Sequence, residues 1–205
     1  MSVASTASIA ERKRQLVRNE LAEAAVALLA DQGFEETTVD QIVAAVGMSR
    51  RTFSRYFESK EDVVVHLLAG AGAQMCAELH ARPEDEPPAL ALRHAVSVFT
   101  SICRVDRERT LRVSRLILDT PALLARFLER QSQWQAEMAG ILARRTGLDP
   151  DADLRPALAA GVALTAFQTG LRHWVDNDGT KAIDEVVDQA FVMITPALDL
   201  STDQN

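Results

Sequence analysis

The chain has 205 residues, 47% hydrophobic and 25% charged, an ordinary balance for a soluble globular protein of one large or two small domains. No apolar run approaches the roughly 18 residues of a membrane span, and MSVASTASIAERKRQ lacks the apolar core of a signal peptide. A net charge of −7 argues against a nucleic-acid partner only when averaged, because residues 1–60 hold eight basic and eight acidic residues and the whole deficit lies in 61–205. What meets phosphate is a local basic face, not an overall isoelectric point. The only two cysteines, Cys76 and Cys103, make neither a zinc pattern nor a disulfide framework, so reduced thiols in a cytoplasmic protein are expected. Period-two alternation is missing, which makes an all-α fold the expectation.

Residues 1–10 are small and polar and are expected to form a disordered tail. A first helix is predicted over residues 11–32, with Leu16, Leu21, Ala24, Ala25, Leu28 and Leu29 as its buried stripe and Gly33 as its stop. Arg12, Lys13, Arg14 and Arg18 crowd its start, where the helix dipole disfavours positive charge. A phosphate backbone beside Arg14 would explain that placement; a solvated helix end is the alternative.

The next stretch, TVDQIVAAVGMSRRTFSRYFESK, is the most informative in the chain. Val39, Ile42, Val43 and Val46 recur at helical spacing, and Thr38 with Gln41 three residues later has the form of a capping box. Gly47 supplies the positive φ that ends this helix, and Ser49 caps another in which Phe53 and Phe57 lie one turn apart on the buried side. The remaining faces carry Arg50, Arg51, Thr52, Ser54, Arg55 and Tyr56. Helix, glycine turn and a second helix with an arginine-rich outer face is the construction of a helix-turn-helix DNA reader. Lys60, in the first turn of a fourth helix capped by Ser59 and Asp62, sits beside free backbone N–H groups in a phosphate-binding arrangement. Thr38, Ser49 and Lys60 join the expected DNA contacts.

From about Ala24 to Val65 the chain resembles the DNA-binding signature of the TetR family of bacterial transcriptional regulators, with QGFEETTV, the Gly-Met-Ser turn, the Tyr-Phe pair and Ser-Lys-Glu-Asp in order. One position departs from the pattern: Ser54 stands where many relatives carry an aromatic residue against DNA phosphate. The resemblance implies a three-helix DNA-binding domain at 11–60 and a helical ligand-binding and dimerisation domain at 61–200, about nine helices in all. It also implies a homodimer acting on a DNA operator and answering a small molecule.

The fourth helix carries Gly70 and Gly72, each costing roughly 1 kcal/mol relative to Ala, as a mark of close packing or of a bend that transmits a signal. After the acidic, proline-rich loop 82–88, helices are predicted over 90–105, 106–119, 120–147, 154–176 and 181–198. Phe99, Phe127, Trp134, Met138, Phe167 and Trp174 are spread over three of them and can line an apolar cavity, with Gln168, Thr165 and His173 as sparse polar contacts; plain core is the rival reading. Cys103 and Arg115 complete the candidate ligand lining. Arg115 belongs to a row with Arg109 and Arg112 and has Asp119 four residues on as its expected partner. Ala159, Ala160, Gly161, Ala163, Ala166 and Gly170 allow close helix approach, as in half of a four-helix dimer interface. The C-terminal half also resembles, diffusely, the family's acyl-CoA-like ligand domains.

His66, His80, His94 and His173 are scattered, and there is no Glu-x-x-His pair, nucleophile elbow or phosphate loop. No catalytic residue, metal or cofactor is therefore expected. The function expected is a ligand-responsive, sequence-specific DNA-binding regulator, a repressor released by an apolar or amphipathic effector. The alternatives are a helical small-molecule carrier or enzyme with a structural helix-turn-helix, and a DNA-binding protein that answers no ligand.

Overall fold

The computed structural model describes residues 8–198, and every regular element among them is helical. The chain divides after Leu67 into two units. In the first, α1 (Ile9–Gln32) begins two residues before the expected start, because Ser8 Oγ accepts the Glu11 N–H at 3.2 Å. Residues 1–7 of the expected disordered tail lie outside the described residues. Leu16, predicted to be buried, is 68% exposed; Val17 packs partly against the core, and full burial begins at Leu21. The reason is height. The short helices beside α1 have seven residues each, about 10 Å, whereas the 24 residues of α1 span roughly 36 Å, so its first turns overhang the core.

Those short helices are α2 (Val39–Ala45) and α3 (Arg50–Tyr56). Gly47 lies between them at φ 63°, and the Met48 N–H returns to the Val43 carbonyl at 2.8 Å. Ile42, Phe53 and Phe57 close over Leu21 and Ala25 of α1, with the two phenylalanine rings 5.6 Å apart. Burying a side chain such as Phe53 stabilises the unit by roughly 1.5–3 kcal/mol. α4 (Lys60–Ala81) starts on a reciprocal cap: the Asp62 N–H donates to Ser59 Oγ at 3.3 Å, and the Ser59 N–H donates to Asp62 Oδ2 at 3.1 Å.

The second unit holds residues 68–81 of α4, then α5 (Pro88–Val105), α6 (Arg107–Asp119), α7 (Pro121–Thr146), α8 (Arg155–Asp176) and α9 (Ile183–Ile194). α9 is shorter than the predicted 181–198, because Ala182 is extended and the last turn tightens to a 3-10 segment, Thr195–Leu198. α8 packs along both α7 and α9. Four of its small residues serve the interior: Ala159, Ala160 and Ala163 are fully buried, and a Cβ added at Gly170 would come within 3.6 Å of Val186. The small residues expected to form half of a dimer face thus divide: Gly161 and Ala166 line the outer side of α8, and the others pack inward.

The two glycines of α4 also part company. A Cβ at Gly70 would meet open space, whereas one at Gly72 would land in the indole of Trp134 on α7. Gly72 is a packing glycine.

Arginines tie the ends of these helices together. Arg145 donates to the carbonyls of Arg82 and Pro83 at 2.7 and 2.6 Å, just beyond the end of α4. Arg172 reaches the Leu118 carbonyl at 2.7 Å near the end of α6. Arg107 holds the Gly179 carbonyl in the loop after α8. Helix C-termini present unpaired carbonyls and a negative dipole end, so a guanidinium there both satisfies acceptors and complements charge.

Candidate nucleic-acid interface and effector domain

The DNA-reading face is built from the caps outward. Thr38 accepts the Gln41 N–H at 3.3 Å while Gln41 Oε1 accepts the Thr38 N–H at 2.8 Å, so the start of α2 is locked in both directions. Ser49 Oγ accepts the Thr52 N–H at 3.1 Å and starts α3. With Phe53 turned inward, helical spacing leaves Arg50, Arg51, Ser54 and Arg55 exposed, and Thr52 and Tyr56 half-buried at the edges. Thr38, Ser49 and Arg14 are exposed as well. Arg50 is held by Asp40 of α2, Nε to Oδ1, at 3.4 Å, a surface pair worth at most about 1 kcal/mol. The Ser54 hydroxyl donates to the Arg50 carbonyl at 3.1 Å, so its proton is directed back into its own helix.

Lys60 is placed differently from the other expected DNA contacts. Its ammonium is half-buried and donates to the carbonyls of Phe34 and Thr37 in the loop between α1 and α2. Behind α3, the Arg18 guanidinium lies 5.3 Å from the Phe57 ring centroid, and His66 approaches that ring edge-on at 5.8 Å. Burial, followed by the Arg18 charge, lowers the His66 pKa.

In the second unit the candidate ligand residues sort into three groups. Phe99 meets Phe167 edge-to-face at 5.1 Å, and Phe127 meets Trp134 in the same way at 6.0 Å. Met138, Phe127, Trp134 and Phe167 are buried, and Phe99 and Gln168 are half-buried. Cys103 is buried too, and burial is the main cause that pushes its thiol up to about 12. The second group is committed to the fold. Trp174 Nε1 donates to the Lys181 carbonyl at 3.0 Å, and Arg115 reaches the Val175 carbonyl at 3.0 Å and Asp178 Oδ1 at 2.6 Å. The expected Arg115–Asp119 pair does not form; Asp119 binds Arg172 at 2.6 Å instead. The third group faces outward: Thr165 and His173 are exposed.

Sequence reasoning passed over Gln131, which is buried and donates to the Leu164 carbonyl at 3.0 Å. Its signal was present, since it falls one turn after Phe127 in the inward register of α7. Also unforeseen is a groove of about 560 Å³ on the outer side of α8 and α9, lined by Leu158, Val162, Thr165, Thr169 and Met193. Leu158 is 52% and Met193 79% exposed there.

Comparison with known proteins gives this geometry its context. Residues 21–67 match the family model for bacterial regulatory proteins of the TetR family, and residues 86–199 match that for the MftR C-terminal domain. The chain belongs to the TetR family of bacterial transcriptional regulators. It is 32% identical over 197 residues to the HTH-type transcriptional regulator TcmR of Streptomyces glaucescens, covering 92% of this chain and 87% of that protein. Identity to MftR of Mycobacterium tuberculosis, named for regulation of mycofactocin biosynthesis, is 30% over 92% of this chain and 94% of that one. The crystal structure of the transcriptional regulator FadR from Bacillus subtilis, in complex with stearoyl-CoA, shares the fold at 20% identity. Its TM-score is 0.65, over 87% of this chain and 98% of that chain. This TetR-family chain is thus a DNA-binding transcriptional regulator, with α2 and α3 as its helix-turn-helix. No helix among the described residues is long and apolar enough to cross a membrane.

Proposed function

We propose that this regulator is a homodimeric repressor that holds a partly palindromic operator through α3 and leaves it when an acyl-bearing or similarly amphipathic effector enters the second unit. The observation that carries the DNA half is the division of α3, with Phe53 sealed inward at 1% exposure and Arg50, Arg51 and Arg55 turned to solvent. An exposed arginine row on a short, rigidly capped helix suits bidentate contact with guanine in a major groove. Two such helices related by a two-fold axis would meet successive grooves roughly 34–36 Å apart or somewhat more. The apolar groove on α8 and α9 supports the dimer, because exposed apolar surface of that kind marks an interaction site.

For the effector, the edge-to-face pairs Phe99–Phe167 and Phe127–Trp134 supply apolar walls, and the stearoyl-CoA bound to Bacillus subtilis FadR suggests the class. Binding that favours one arrangement of the dimer would shift its population away from the DNA-competent spacing. Fluorescence anisotropy with the DNA upstream of its own gene, titrated with stearoyl-CoA, tests the reading. Tight, salt-sensitive binding that the acyl-CoA reverses is the expected result. Acyl-CoA binding by a chain that ignores DNA would replace it with the carrier reading, and DNA binding indifferent to every acyl-CoA would remove the effector class.

A further inference from the structure

Lys60 opens α4, and its surroundings are those of a bolt. Its Nζ donates to the Phe34 carbonyl and, at 3.1 Å, to the Thr37 carbonyl, and lies 4.1 Å from the centroid of the Phe34 ring. Two of its three N–H donors are thereby engaged with main chain, and the ring face attracts the cation from another side. The loop it grips is itself well held: Thr37 is 1% exposed, and its hydroxyl donates to the Gly33 carbonyl at 2.7 Å. The residue after Thr37 is Thr38, the cap of α2. One ammonium therefore joins the first turn of α4 to the backbone immediately before α2.

A phosphate ligand must keep its donors turned outward; here two of the three are turned into the protein. We propose that Lys60 is a positioning residue for the DNA-reading helices, setting the start of α2 against the start of α4, and that it does not ligate phosphate. This rests on the reading that α2 and α3 face DNA. It also gives α4 a direct handle on the reader: a displacement of its first turn is delivered to the α2 cap through these two hydrogen bonds.

The test compares wild type with Lys60→Ala and Lys60→Gln in the full-length chain, using operator affinity across a salt series and hydrogen exchange of the peptide 33–41 without DNA. A lost phosphate contact lowers the slope of log K against log salt by about 0.9, whatever replaces the lysine. Under the proposal Lys60→Ala weakens operator binding about tenfold, as expected for losing hydrogen bonds from a charged donor, at an unchanged slope. Exchange in 33–41 then rises. Lys60→Gln, neutral but still a donor, recovers most of both at the same slope. A slope lowered by about 0.9 in both variants, with exchange unaltered, overturns the proposal. Arg51→Ala is the control for the underlying reading. If it leaves operator binding intact, the DNA face is wrong, while the exchange data still decide whether Lys60 holds the loop.

Discussion

The two units use the same residue type in opposite ways. In the first, Arg51 and Arg55 stand on a short helix with their guanidinium groups in solvent. In the second, Arg107, Arg115, Arg145 and Arg172 are turned onto backbone carbonyls at or just beyond helix ends. An arginine free to exchange its water for a phosphate or a base edge is a reader; one already bonded to carbonyls is a fastener, and releasing it costs those bonds. What separates the roles is whether the fold brings the carbonyls of a distant segment within reach of the guanidinium.

That contrast can be broken most forcefully inside the second unit. Gly72→Ala should push the added methyl into Trp134 and lower stability at the upper end of about 1–3 kcal/mol. Gly70→Ala, two residues earlier and facing open space, should raise the melting temperature through helix propensity worth roughly 1 kcal/mol. Thermal unfolding of the two variants side by side checks both, and a stable Gly72→Ala protein would show that the indole moves freely. For the arginines proposed to read DNA, Arg51→Ala or Arg55→Ala should remove about 1–3 kcal/mol of discrimination between operator and random DNA while leaving the melting temperature alone. Competition binding measures the first and calorimetry the second; a matching loss of both would make these arginines fasteners too.

A fastener should behave the other way round. Arg115→Ala should cost about 1 kcal/mol of stability, since its hydrogen bond to Val175 counts and its exposed pairing with Asp178 adds little. Operator affinity should stay level. If the variant instead keeps its stability and loses only the response to acyl-CoA, Arg115 belongs to the effector site. The smallest effect is expected at Ser54, whose hydroxyl is turned to the Arg50 carbonyl. Ser54→Ala should shift stability by no more than about 0.5 kcal/mol, with a correspondingly slight change in operator affinity. A large loss of affinity would mean that the hydroxyl swings out to DNA.

Local chemistry was legible in the sequence wherever a residue's partner lies within a turn or two. Thr38 with Gln41, Ser49 with Thr52 and Ser59 with Asp62 all cap as their spacing foretells, and Gly47 takes the positive φ that its turn requires. The helix-turn-helix was readable for that reason. What escaped depends on partners far along the chain. The carbonyl partners of Lys60 were hidden because the start of α4 is visible in sequence, whereas Phe34 and Thr37 are brought to it only by the fold. Arg115 was assigned to Asp119 on its own helix, but meets Asp178 beyond the end of another. The small residues of α8 revealed that a neighbour comes close, and not which neighbour. Leu16 was misjudged because periodicity carries no information about the height of the core beside it.

The placement of the tryptophans has an optical consequence. There are two in the chain, and each touches a different joint. Trp134 lies against the backbone of α4 at Gly72, and Trp174 closes the turn between α8 and α9 through its bond to Lys181. Their emission therefore reports two separate events from one unlabelled protein. Replacing Trp174 with Phe leaves a reporter whose wavelength and quenching follow the seat of α4, and replacing Trp134 leaves one that follows the α8–α9 turn. Recorded in stopped flow, the pair would show whether effector entry disturbs α4 before, with or after the α8–α9 turn.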